Sequence, residues 1–295
     1  MAILAFDIGG TSVKYGVWND EEQLINKSKF KTPETWSEMK VALLTIKQQF
    51  EKDYILDGIA ISSPGSVNQQ DRQIEGISAV PYLHYFPIYD ELEELFQLSV
   101  AIENDANCAA LAEVWKGSAK ENQTVLFVVI GTGIGGAVII DKKIHHGTHL
   151  FGGEFGYMLL EDYKNFSELA TAVNMAKRYA QRKNIAQEDI NGERVFELVE
   201  KGDQIAQEEV DTFYFYLTKG LYNLAYAFDP EKIIIGGGIS NKKGLLSRLN
   251  IEFEKLLKQI NFNTFQPELD LCTFRNDANL IGAVYNYLQK NRKTD

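Results

Sequence analysis

The chain of 295 residues has only two cysteines, Cys108 and Cys272, and four histidines. Two cysteines this far apart make neither a disulfide framework nor a cysteine-rich zinc site. Both sit in apolar stretches, which predicts buried thiols. Basic charge is also short: 30 Lys and Arg stand against 41 Asp and Glu, a net charge of −11. That disfavours nucleic acid as the main partner, because a phosphate backbone calls for a basic surface. A small phosphorylated ligand gripped by backbone groups stays open. No apolar run approaches the ~20 residues that span a bilayer. The stretch Met1-Ala2-Ile3-Leu4-Ala5-Phe6-Asp7 lacks the basic region and long apolar segment of a signal peptide. The expectation is a soluble, cytoplasmic protein without membrane contact. What remains is ordinary for a globular protein, 45% hydrophobic and 24% charged. The length suits one large or two medium domains with ample core.

Periodicity and turn residues predict an α/β chain. Ile3 to Phe6 is a continuous apolar run, a buried strand; Asp7 to Ser12 is a glycine turn; Val13, Tyr15 and Val17 alternate in a second strand. A P-loop or a Rossmann loop leads from strand to helix, whereas these glycines join two strands. Residues 34–50 read as helix, 58–62 as strand, 66–87 as mostly loop and 88–96 as a short helix. Thr124 to Ile130, the turn 131–136 and Ala137 to Ile140 repeat the opening pattern. One glycine-rich turn is weak evidence, but a matched pair, each after an apolar strand, predicts two α/β halves of similar design. Helices follow over 169–180, 192–201 and 205–228, the last stopped by Asp229-Pro230. Lys232 to Ile235 is a strand and Gly236-Gly237-Gly238 a turn. Ser240 is the expected N-cap of a helix over 244–260. Leu269 to Leu271 is a strand, 278–288 a helix, and the tail from Lys290 is expected to fray.

The stretch Glu103-Asn104-Asp105-Ala106-Asn107 lies between a core strand, Val100 to Ile102, and a helix-like run, Cys108 to Trp115. A polar cluster there is poor packing material. Helix capping by Asp or Asn is one reading, and chemistry is the other. Glycines let backbone N–H groups approach phosphate oxygens, and Thr11 and Thr132 add hydroxyl donors. Lys14 adds charge or is simply exposed. Asp7, at the end of the first strand, is placed to hold Mg²⁺ through water, or caps the turn. Phosphoryl transfer needs these parts: positioned phosphates, a metal and a base. Asp105 fits a base that accepts a sugar hydroxyl's proton, with Asn104 holding neighbouring hydroxyls.

These motifs resemble the ROK family of sugar kinases, in the actin-like (ribonuclease H-like) ATPase superfamily. The likeness rests on DIGGTSVKYGV at 7–17, SPG at 63–65, ENDANCAALAE at 103–113, IGTGIGG at 130–136, GGEFGY at 152–157 and DPEKIIIGGGIS at 229–240. It implies an actin-like fold with two α/β domains flanking a central cleft. The first domain is expected over 1–116, completed by the helix 278–290, and the second over 117–277. The resemblance implies ATP and Mg²⁺ as cofactors and Asp105 as the base for a sugar hydroxyl, usually the 6-hydroxyl. It implies Gly65, Asn104, Glu154 and, by a looser match, Glu168 as sugar contacts. Asp7, Gly9, Gly10, Thr11, Ser12 and Lys14 form the first phosphate turn, Thr132 and Gly133 the second, and Gly236, Gly237 and Gly238 the adenosine side. A homodimer through the helices after residue 165 is also implied.

The departures carry information. Many members have a CxCGxxGCxE zinc motif after a Glu-x-Gly-His sequence. Here Tyr157 stands where that His would be and no Cys lies between it and Cys272, so no structural zinc is expected. His145, His146 and His149 then read as loop histidines. Pro81-Tyr82-Leu83-His84-Tyr85-Phe86 replaces the family's usual Asn-Leu-x-Gly-Trp loop. Its aromatics are candidates to stack on a second sugar ring, or core or dimer contacts. A GEFGYM sequence without zinc cysteines resembles the β-glucoside kinase branch. Glucokinase and N-acetylmannosamine kinase are the enzyme alternatives. A sugar-responsive repressor of the same family is the non-enzyme one, disfavoured by acidic charge and by the absence of a helix-turn-helix before the first phosphate turn.

Overall fold

A computed structural model of the chain describes residues 1–262 and 265–291, in two compact units. The first is Met1–Lys120, His146–Gly152 and the chain from Thr273 onward; the second is Glu121–His145 and Gly153–Cys272. Compared with the division expected from sequence, residues 117–120, 146–152 and 273–277 fall with the first unit.

The first unit contains β1 (Ala2–Ile8), β2 (Ser12–Trp18), β3 (Leu24–Lys31), α1 (Trp36–Phe50) and β4 (Leu56–Ser63). A small hairpin follows, β5 (Ser66–Asn68) with β6 (Gln73–Glu75), then α2 (Ile88–Phe96), β7 (Val100–Asn104), α3 (Asp105–Lys116) and the C-terminal helix Ala278–Asn291. The five-stranded sheet runs β3-β2-β1-β4-β7. β1 and β3 flank β2 antiparallel, while β1, β4 and β7 are parallel. β1 is buried at every position, as expected of a strand covered on both faces. Alternation sends Leu4, Phe6 and Ile8 into the core shared with Met39 and Leu43 of α1 and Leu92 and Phe96 of α2. Ile3, Ala5 and Asp7 therefore face the other way, the side on which the C-terminal helix packs over β1, β4 and β7. That helix also lies directly on α3. A Cβ on Gly282 would sit 1.6 Å from the Cys108 carbonyl oxygen, so only glycine permits the approach.

The second unit contains β8 (Val125–Ile130), β9 (Ile134–Ile140), β10 (Lys143–Ile144), a small ribbon of β11 (Leu159–Glu161) and β12 (Lys164–Asn165), and α4 (Phe166–Leu169). It continues with α5 (Ala172–Lys183), α6 (Gly192–Glu200), α7 (Gln204–Phe228), β13 (Lys232–Gly236), α8 (Leu245–Gln259) and β14 (Leu269–Leu271). Its sheet runs β10-β9-β8-β13-β14, with β9 antiparallel to both neighbours and β8, β13 and β14 parallel. The pattern is that of the first sheet: a glycine hairpin, an antiparallel edge strand and two further parallel strands. Leu126, Val128 and Ile130 of β8 and Ile233 and Ile235 of β13 form one core with Phe213, Leu217 and Leu221 of α7 and Leu249 and Phe253 of α8.

Several elements differ from the sequence reading. β3 was not expected; four consecutive residues of LINKSKFK are exposed, so no alternation marks this edge strand. The helix expected over 169–180 begins only at Ala172, after α4 has ended at Leu169, with the Thr171 hydroxyl accepting from Asn174 N–H as its cap. Ser240 does not cap α8, whose N-cap is Gly244; the Ser240 hydroxyl instead donates to Gly237 O at 2.7 Å. Lys290 and Asn291 remain helical, and the rest of the tail lies outside the described residues. Cys108 is fully buried as expected, whereas Cys272 is only half-buried.

Candidate active site

The site begins where the parallel strands of the first sheet end. Register places Asp7 of β1 opposite Ser62 of β4, and Ser62 opposite Glu103 of β7, on one face. Ligands of open α/β sheets bind at these carboxyl ends. Asp7 is 6% exposed, and its carboxylate is held by three donors. Ser62 Oγ (2.9 Å) and Asn279 Nδ2 (3.0 Å) donate to Oδ1, and Lys14 Nζ (3.2 Å) donates to Oδ2. Lys14 is therefore tied to the strand end, with Asn276 O a second acceptor at 3.4 Å. The turn Gly9-Gly10-Thr11 is closed by Gly9 N–H on Ser12 O and pinned to Thr32, whose N–H donates to Thr11 O at 3.1 Å.

The polar stretch after β7 is both a cap and a site. Asn104 is the N-cap of α3, its Oδ1 accepting from Ala106 N–H (2.9 Å) and Asn107 N–H (3.2 Å). Its Nδ2 donates to Gly65 O at 3.0 Å, which joins the SPG turn to the helix start. Asp105 is the first helical residue, half-buried, with Oδ1 accepting from Ala106 N–H at 2.8 Å. Burial pushes the Asp105 carboxyl above its ordinary value and the nearby Asp7 charge pushes the same way, against the helix-start N–H. A carboxylate made more basic at a ligand-binding strand end suits proton abstraction.

Glu103 is 1% exposed, and every acceptor site of its carboxylate is engaged. Oε1 takes Asn104 N–H (2.9 Å) and Asn107 Nδ2 (3.0 Å); Oε2 takes Gln69 Nε2 (3.0 Å) and His146 Nε2 (2.9 Å). Burial works to raise this carboxyl, but His146, Asn107 and Lys290 outweigh it and hold it below the usual range. The sequence reading treated His146 as a loop histidine. No local signal marks it, because its partner is distant in sequence; the same holds for Gln69 and Asn279. Cys108 lies behind the site. Burial, then the carboxylates of Glu103, Asp7 and Asp105, push its thiol well up, so it is no nucleophile.

In the second unit, the turn Gly131-Thr132-Gly133 is closed by Gly131 N–H on Gly133 O (2.9 Å). It is backed by Ser167, whose Oγ accepts from Ile134 N–H at 2.8 Å. Thr132 and Gly238 line one cavity of about 760 Å³ with Phe196, Asn191, Lys242 and Lys243. This volume lies within the range of small-molecule and cofactor sites. The β13 turn needs glycine at 237: its φ is +82°, and a Cβ would sit 2.3 Å from Ile130 O. The second phosphate turn and the adenosine-side turn of the sequence reading thus wall one cavity.

Glu154 keeps contact with solvent, yet enough protein surrounds it that burial raises its carboxyl. Glu168 has a local role: its carboxylate accepts from Asn165 N–H (2.8 Å) while Asn165 Oδ1 accepts from Glu168 N–H (2.9 Å), a capping box at α4. Among the loop aromatics, Tyr82 donates its hydroxyl to Pro33 O (2.7 Å) and Phe86 packs on Trp36 with ring centres 5.3 Å apart, so both have partners within the fold. Tyr85 is 65% exposed, with its hydroxyl accepting from Gly76 N–H.

Two units of one topology, each a hairpin-led sheet with glycine turns at its strand ends, define the actin-like (ribonuclease H-like) ATPase fold. The chain belongs to the ROK family, whose model matches residues 3–290. A β-glucoside kinase of Klebsiella pneumoniae is 35% identical over 302 residues, spanning 100% of this chain and 99% of that protein. A β-glucoside kinase of Listeria monocytogenes is 34% identical over 300 residues, 99% of each chain. A solved ROK family protein from Streptococcus pneumoniae TIGR4, in complex with sucrose, matches with a TM-score of 0.90 at 36% identity over 99% of both chains.

Proposed function

We propose that the protein is an ATP-dependent sugar kinase acting on the 6-hydroxyl of a glucosyl unit, in a β-glucoside such as cellobiose or in free glucose. The observation that carries this reading is Asp105: a carboxylate made more basic, at the start of α3, beside the strand-end Asp7. The full-length likeness to two β-glucoside kinases supports the acceptor class. The sucrose in the Streptococcus pneumoniae relative supports a site that admits a disaccharide.

In this reading Asp105 takes the hydroxyl proton as the sugar oxygen bonds to the γ-phosphorus. The bond from that phosphorus to the β–γ bridging oxygen breaks, and ADP leaves with the electron pair. Gly65 and Asn104 set the edge on which the sugar rests, and Glu154 accepts from its hydroxyls. Glu168, one oxygen of which caps its own helix start, is the looser-matched sugar contact through the other. Lys14, Gly9 to Ser12, Thr132 and Gly133 hold phosphates, and the cavity beside Gly236 to Gly238 takes the adenosine. Asp7 fits Mg²⁺ held through water: the ion needs few protein ligands, and Asp7 and Asp105 are close enough for their charges to interact. Bound there, the ion would neutralise charge on the transferring phosphates. A cytoplasmic homodimer through the second unit's helices completes the reading; Phe215, Phe228 and Ile251 are exposed on them. Light scattering tests the dimer.

The test is coupled ADP release over a panel of glucose, cellobiose, aryl β-glucosides, N-acetylmannosamine and N-acetylglucosamine. Turnover is expected with glucose or a β-glucoside. Asp105→Asn should lower it at least ~10²-fold. More than a few per cent residual activity would refute the base assignment.

A further inference from the structure

Taking a carboxylate out of water costs several kcal/mol, and a well-packed apolar side chain often serves stability as well or better. Glu103 is nonetheless buried as a carboxylate with four donors around it, and those donors come from separate parts of the first unit. Asn104 N–H and Asn107 Nδ2 belong to the cap and first turn of α3; Gln69 lies in the turn between β5 and β6; His146 opens the segment 146–152. Asp105 stands between Asn104 and Asn107, and its oxygen is fixed by the N–H of Ala106 in the same turn. The hairpin that carries Gln69 begins directly after Gly65, which Asn104 also holds. The segment 146–152 closes on itself, with Gly152 N–H on His146 O at 2.8 Å, and leads into Gly153-Glu154. Lys290, an exposed residue whose Nζ reaches to 3.4 Å from Ile102 O, interacts electrostatically with Glu103 from behind. The stretches that carry Gly65, Asn104, Asp105 and Glu154 are therefore tied to, or lead out of, a stretch tied to one carboxylate.

We propose that Glu103 is the positioning residue of the Asp105 base, and that the His146–Glu103 hydrogen bond is the latch that holds segment 146–152 against the start of α3. The proposal rests on the kinase reading for its catalytic consequence, but the latch itself is a property of the free protein. His146 is suited to the task because its imidazole is 29% exposed while the carboxylate it holds is 1% exposed. The ring reaches in from the surface and supplies the only donor to Glu103 from that segment.

The experiment compares His146→Ala, His146→Gln, Glu103→Gln and, as a control, His149→Ala, an exposed histidine of the same segment. Steady-state kinetics are measured with the best sugar of the panel and with ATP. Amide hydrogen exchange is measured on the free protein. His146→Ala should lower kcat by about tenfold to a hundredfold, the cost of a base displaced by about an ångström, with KM for ATP unchanged. His146→Gln, which keeps a donor, should recover most of the loss, and added imidazole should recover part of it in His146→Ala. Glu103→Gln, which presents a donor where two donors point inward, should lose at least as much as His146→Ala. Exchange should quicken over 146–152 and the first turn of α3 in His146→Ala and not in His149→Ala. Equal losses in the Ala and Gln variants, or a raised KM for ATP with kcat intact, would overturn the proposal. So would exchange unchanged in His146→Ala. If the wild type phosphorylates no sugar, the kinase reading fails, and the exchange data still decide the latch.

Discussion

At the scale of single residues, the charge of Asp7 bears on the Asp105 base. Burial raises the Asp105 carboxyl, and the Asp7 charge adds to it. Only the ionised form accepts a proton, so kcat/KM should fall as pH drops through this raised value. The acid limb of the pH profile should therefore lie above the range of an ordinary aspartate. Asp7→Asn removes the like charge, so the limb should move to lower pH even though kcat falls with loss of the proposed metal contact. A limb that stays in place would mean burial alone sets it. Glu103 has the opposite sign. Its carboxyl is held low, so its contribution to stability is complete above the ordinary glutamate range and is lost as pH falls through the lowered value. Thermal melts from neutral to acid pH should show this loss in the wild type and much less of it in Glu103→Gln. Asn104→Ala removes the α3 cap, with an expected cost of about 0.5–2 kcal/mol in denaturant unfolding.

At the scale of elements, the contact between α3 and the C-terminal helix depends on Gly282. Gly282→Ala would place a methyl group against the Cys108 carbonyl, and overpacking of this kind costs typically about 1–3 kcal/mol. A lowered Tm is the expected readout, with the helices forced apart behind Asp105. The same scale shows what the sequence made legible. Both hairpins could be read because a wholly apolar strand runs straight into paired glycines. Asp7 and the 103–107 stretch stood out because polar residues interrupt apolar runs where a strand ends. β3 was hidden because an edge strand with exposed lysines has no periodic face. Ser240 was misread because a serine near a helix start looks like a cap, whereas its hydroxyl turns back to Gly237. His146, Gln69 and Asn279 act through partners remote in sequence, which no local pattern encodes.

At the scale of the whole molecule, the acidic charge and the cavity beside Thr132 are consistent with a small anionic ligand held by turns rather than by a basic surface. Gly237→Ala should raise KM for ATP, because it strains the turn that walls this cavity, while leaving affinity for sugar unchanged; calorimetry with each substrate separates the two effects. The two units share a topology but not a continuous stretch of chain, since the first takes its C-terminal helix from beyond the second. A chain cut after Cys272 loses that helix and with it Asn279, a partner of Asp7. Its first unit should melt without a cooperative transition while the second keeps its own.

The helix that covers β1 also fixes when the protein can become native during synthesis. β1 leaves the ribosome well before that helix, and one of its faces stays bare until a segment encoded after the second unit has emerged. The earlier-made half must then wait, partly open, for the later-made one. During that interval its apolar strands are exposed to chaperones and to other nascent chains.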